Sequence, residues 1–114
     1  MTDITGFKKD IVSSYIPKDP DSELTYTVDW TDWMPTGSTL DTLTPPVVTV
    51  STISGDADPL VKVGSGIVTS TEKVYVTLSG GTAGEIYTVK VTITTDNGDI
   101  DVRRFRVKVE ERYI

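Results

Sequence analysis

The chain has 114 residues, a formal charge of −6 and neither histidine nor cysteine; that suits one small domain and removes disulfides, thiolate zinc sites, cysteine nucleophiles and the usual general base. Ten carboxylates stand against three lysines in residues 1–60, whereas residues 61–114 carry eight cations against seven carboxylates. The acidic balance argues against nucleic acid and no apolar run suits a membrane, so composition predicts a binding or structural domain without cofactor or metal rather than an enzyme.

Residues 1–23 mix charge with isolated apolar side chains (Ile4, Phe7, Ile11, Val12, Tyr15, Ile16), and the first ten lack the apolar stretch of a signal peptide, so export by that route is not expected. Pro17 and Pro20 keep their stretch extended and deny it interior strand pairing. This reads as an N-terminal arm, strapped to its own domain or lent to a neighbouring subunit, with an acidic end at Asp19, Asp21 and Glu23.

From residue 24 to 114 a periodicity of two dominates, and no stretch reads as a helix. Leu24, Tyr26, Val28 and Trp30 share one strand face, with Trp30 in the core. Trp33 lies at the strand end, where its ring covers the core or meets a partner. Val47 to Ile53 is a β-branched run, Val74, Val76 and Leu78 alternate, and Ile86–Thr95 and Ile100–Glu110 are the longest strand patterns. Turn signals separate them at Pro35-Thr36-Gly37, Ser54-Gly55-Asp56, Gly64-Ser65-Gly66, Gly80-Gly81 and Asn97-Gly98. At least one of Gly80 and Gly81 is expected at positive φ. Short strands at this spacing predict an all-β antiparallel sandwich.

Asn97-Gly98 is the preferred pair for a two-residue hairpin turn, which sets Ile93 opposite Val102. Carried on, that register puts Val91 against Arg104, and one extra residue at Arg103-Arg104 restores apolar pairing with Phe105, Val107 and Val109. A β-bulge is therefore expected at those arginines. The outward face would hold Lys90, Arg103, Arg104, Arg106 and Lys108 with Asp101, and Lys90 directly across from Arg106. Like charges opposite each other weaken a strand pair, so an acidic cover such as Asp19–Glu23, from the same or another subunit, is expected there.

Carboxylate pairs Asp29 with Asp32 and Asp99 with Asp101 are the remaining candidates for glycoside hydrolysis, which also needs a cleft. Asp96 to Asp101 lacks the ligand spacing of an EF-hand, and a hairpin turn explains its composition. Asp19 to Glu23 is at most a weak calcium ligand set on spacing.

Pro17-Lys18-Asp19-Pro20-Asp21 followed by Leu24-Thr25-Tyr26-Thr27-Val28-Asp29-Trp30 resembles the opening of tailed-phage fiber-tail adaptor proteins. So do Val76-Thr77-Leu78-Ser79-Gly80-Gly81-Thr82-Ala83-Gly84-Glu85-Ile86-Tyr87, then Ile93-Thr94-Thr95, Gly98 and Arg104-Phe105. The likeness covers residues 17–112, with a longer arm and a divergent stretch from Ser54 to Gly66. It implies a noncatalytic virion protein with an immunoglobulin-like sandwich, joining a tail tube or nozzle protein to a tail fiber protein. With that role a homo-oligomeric ring is expected, without nucleic acid or membrane contact. Candidate partner-binding residues are Tyr15, Ile16, Asp19, Asp21, Glu23, Trp33, Lys90, Arg103, Arg104, Arg106 and Lys108. The alternative is a small adhesive or carbohydrate-binding module that uses Trp33.

Overall fold

The alternation from Leu24 onward becomes strands stacked in two layers. A computed structural model describes residues 3–4, 8–9 and 14–113. Among them there is no helix. The strands are β1 (Asp3–Ile4), β2 (Lys8–Lys9), β3 (Ser14–Lys18), β4 (Glu23–Asp29), β5 (Val47–Val50), β6 (Leu60–Ile67), β7 (Lys73–Gly80), β8 (Ile86–Thr94) and β9 (Ile100–Val109). The first sheet has the order β1-β4-β7-β6 and the second β2-β3-β9-β8-β5. Neighbours are antiparallel except β3 and β9, which run parallel. This is an immunoglobulin-like β-sandwich.

The inward residues are those the period of two selects. Tyr26 and Val28 on β4 and Val74, Val76 and Leu78 on β7 face Val89 and Val91 on β8 and Phe105, Val107 and Val109 on β9. Each such side chain contributes about 1.5–3 kcal/mol over an exposed one. Trp30 is fully buried just beyond β4. Tyr87, at the start of β8, is also fully buried, and its hydroxyl accepts from Thr82 N–H at 3.0 Å and donates to Asp56. That bond back across the corner is a recurring device of such sandwiches. Gly80 and Gly81 both have positive φ, +78° and +101°. A Cβ on Gly81 would fall 2.5 Å from Val109 Cγ2, so the corner needs glycine for space as well as for conformation.

Part of the arm is a strand of the same sandwich and, against the expectation from its prolines, an interior one: β3 lies between β2 and β9, although β2 reaches only Ser14 and Tyr15 and stops short of Pro17. Ile16 pairs with Val107 and is buried, and Lys18 pairs with Val109. Lys18 C=O accepts from Glu110 N–H at 2.8 Å, which turns the backbone of Pro17 toward the open edge. A missing N–H costs nothing there. Phe7, Ile11 and Val12 lie outside the described residues.

Two expectations about bulge and turn positions fail. Pairing through Arg103 and Arg104 is regular, with Val91 opposite Arg103, Val89 opposite Phe105 and Ile93 opposite Asp101. The irregularity sits in the turn. Thr95 N–H donates to Asp99 C=O at 2.8 Å, leaving Asp96-Asn97-Gly98 as a three-residue loop in which Gly98 alone has positive φ, +93°. This is the longer hairpin connection, with a glycine bulge at its end. Thr95 Oγ1 holds it by accepting from Asp99 N–H at 3.0 Å. Second, Gly64-Ser65-Gly66 is not a turn but part of β6, beyond a register shift between Lys62 and Gly64. Tyr75 lies over Gly66, where a Cβ would come 2.9 Å from its ring.

Candidate functional site

Alternation on β9 decides what its basic residues can do. Arg104, Arg106 and Lys108 occupy alternate positions opposite Lys90, Thr88 and Ile86 of β8, on the side away from the core. Lys90 sits directly opposite Arg104, one step from the expected Arg106, and has Thr49 of β5 on its other flank. Lys90 and Arg104 are exposed, and Arg106 and Lys108 are half-buried. Lys108 Nζ lies 5.5 Å from the ring centre of Tyr15, a cation–π contact across the parallel pair. Among the described residues none of these four cations is in a salt bridge.

Arg103 does not belong to this row. It points inward with Asp101, because the regular register gives both the parity of Phe105. Its guanidinium lies 5.2 Å from the Trp30 ring centre, and its Nε lies 3.3 Å from Asp101 Oδ2. The same carboxylate oxygen accepts from Trp30 Nε1 at 2.8 Å. Ion pair, indole bond and stacking together close one end of the core. Ile16, also expected at a partner surface, is a core residue instead.

The acidic segment after β3 is a turn. Asp19 C=O accepts from Ser22 N–H, and its carboxylate accepts from Asp21 N–H at 2.8 Å and Arg112 N–H at 3.0 Å. The Arg112 and Asp21 amides hold its carboxyl below the ordinary range. Asp21 and Glu23 stay exposed. Lys18 is wholly buried, donating from Nζ to the carbonyls of Asp19 and Gly80 at 2.8 Å each. Burial pulls its pKa down against the attraction of Asp19, Asp21 and Glu23.

Trp33 is half-buried against the core, and its backbone N–H donates to Trp30 C=O at 3.1 Å. Among the described residues, clefts lie elsewhere. One of about 480 Å³ is lined by Thr42, Pro45, Pro46, Gly66, Ile67, Thr69 and Ser70. Another, of about 370 Å³, is formed by residues 53–58 with Thr82 and Glu85. Trp33 lines neither. Two of the carboxylates singled out for chemistry, Asp29 and Asp101, have structural tasks. Asp29 accepts from Thr31 N–H at 2.8 Å, and Asp101 serves Trp30 and Arg103. Among the described residues no group of three or more acidic side chains is arranged to hold a metal ion.

Hydropathy missed the rim of the basic face. Ile100, Val47 and Ile86 are 68%, 58% and 46% exposed, and Val102 shares their side. The signal was present: Ile100, Val102, Arg104, Arg106 and Lys108 share one parity, without a bulge.

The family described as podophage GP4 fiber-tail adaptor protein gp77 matches residues 18–108, from the buried lysine of β3 to the last cation of the β9 row. No curated protein matches the chain.

Proposed function

From its membership of the podophage fiber-tail adaptor family, a structural family of the phage tail, we propose that the chain joins a tail tube or nozzle protein to receptor-binding fibers by protein–protein contacts. It does so as a homo-oligomeric ring in the virion, after synthesis in the host cytoplasm. The observation that carries this reading is the outer face of the second sheet. Lys90, Arg104, Arg106 and Lys108 stand side by side there without a salt bridge among the described residues, rimmed by exposed aliphatic side chains. A chain that worked alone would gain nothing from such a face, because like charges across a strand pair weaken it. Tyr15 borders the face, Asp21, Glu23 and Trp33 are further contact candidates, and Asp19 shapes the acidic turn. Ile16 and Arg103 support these surfaces from inside.

Within residues 1–13, β1 and β2 are two-residue strands at the outer ends of the two sheets, so removing them leaves β3 and the core strands in place. The test is to delete residues 1–13 and, separately, the gene, and to measure tail incorporation and fiber attachment. The reading expects fiberless tails without the gene and impaired assembly without the arm. Fibers attached normally to tails that lack the protein would refute it.

A further inference from the structure

Resting on that adaptor role, we propose that the outer face of the second sheet seats an acidic sheet face of a partner protein, in which alternate strand residues carry carboxylates flanked by apolar side chains. Arg104, Arg106 and Lys108 are alternate residues of one strand, so their positions recur about every 7 Å. An extended strand with carboxylates at every second residue repeats at the same interval. Lys90, directly opposite Arg104, widens the row at one point. Charge complementarity therefore selects a linear row of anions rather than a single acidic residue.

The rim decides what carries those anions. Ile100 lies toward one end of the row and Ile86 beside the other, opposite Lys108, while Val47 borders it on β5. Exposed aliphatic groups favour a protein surface, whose apolar side chains they can cover, over a polyphosphate. Single-stranded nucleic acid would instead call for free aromatic platforms. Among the described residues, Tyr15 is the aromatic bordering this side, and it already has Lys108 over its ring. Five outward positions each on β8 and β9 and two on β5, at about 4.8 Å between strands and about 7 Å along them, span roughly 400 Å². A standard interface needs about 800 Å² per partner. One copy should therefore bind weakly, and several copies side by side bind firmly.

The probe is a soluble β-hairpin peptide with aspartates at alternate positions and valines flanking them on one face. It is titrated into the full chain and followed by backbone amide NMR. Shifts confined to β5, β8 and β9 are expected at 50 mM salt, with affinity at least tenfold weaker at 500 mM because exposed charges are screened. Arg104→Glu with Arg106→Glu should abolish the shifts, and Arg104→Lys with Arg106→Lys should retain them. No shifts from the hairpin, or shifts that survive the glutamate pair, would overturn the proposal. So would tighter binding of an oligothymidylate of equal charge at the same face. The adaptor reading fails separately: tails that carry fibers without the protein would refute it even if the hairpin binds.

Discussion

On the outer face of the first sheet, Thr25 and Thr77 share a 2.8 Å hydrogen bond across β4 and β7, and Tyr75 lies over Gly66. On the outer face of the second, Lys90 meets Arg104, with no carboxylate bonded to either among the described residues. The two faces rest on one core and differ in whether the chain satisfies its own cross-strand pairs. A threonine pair needs nothing more; a row of cations is left without a carboxylate among the described residues, which is what the proposed partner would supply. The proposed partner surface is the place where folding stops short of satisfying its own side chains.

The comparison breaks most severely where both faces lose their common frame. Gly81→Val should cost about 3 kcal/mol, since it forces a β-branched residue to positive φ and drives it into Val109. Urea unfolding measures this, and an unchanged midpoint would contradict the corner described. A smaller effect separates the inward Asp101–Arg103 pair from the outward Arg104. Asp101→Ala should cost about 2 kcal/mol, because Arg103 and the Trp30 indole both lose their acceptor. Arg104→Ala should stay within about 0.5 kcal/mol, as an exposed charge without a bond. Equal losses would mean that the two side chains are not on opposite faces.

The sharpest contrast is one of sign. Lys90→Thr should stabilise the isolated chain by about 0.5 kcal/mol at low salt, a gain that shrinks as salt is added. Thr77→Val should destabilise it by about 0.5 kcal/mol through loss of the bond to Thr25. The smallest effect belongs to Asp56, whose carboxyl is held below the ordinary range by Thr82 and Tyr87. A depressed carboxyl contributes stability that is fully present above its unfolded value and is lost as pH falls through the folded one. Melting temperature should therefore fall through that acidic window, and less so in Asp56→Asn. Identical pH profiles would remove Asp56 from the account.

Which residues face inward was largely legible in the sequence. Val89, Val91, Phe105 and Val107 take the side their alternation predicts, because a two-residue error in register leaves every face unchanged. The turn was not legible. Asn97-Gly98 suits a two-residue loop, and only Thr95, by bonding Asp99 and Asn97 through its hydroxyl, selects the three-residue one. Asp101 and Arg103 were misplaced for a different reason. Apolarity assigned Val102 inward, but inward polarity is tolerated beside Trp30, which is 71 residues away from Asp101 in sequence. Local pattern cannot report a partner at that distance. The basic row was therefore found with the wrong membership: Arg103 was included, and Ile100, Val47 and Ile86 were absent.

The most direct test of the central claim is a cryo-EM map of intact tails at side-chain detail. The account predicts carboxylates of a neighbouring protein within about 4 Å of Arg104 and Lys90, with aliphatic side chains against Ile100 and Ile86, while the Thr25–Thr77 bond remains as it is in the single chain. A second-sheet face open to solvent in the assembled tail, or covered by nucleic acid, would contradict it.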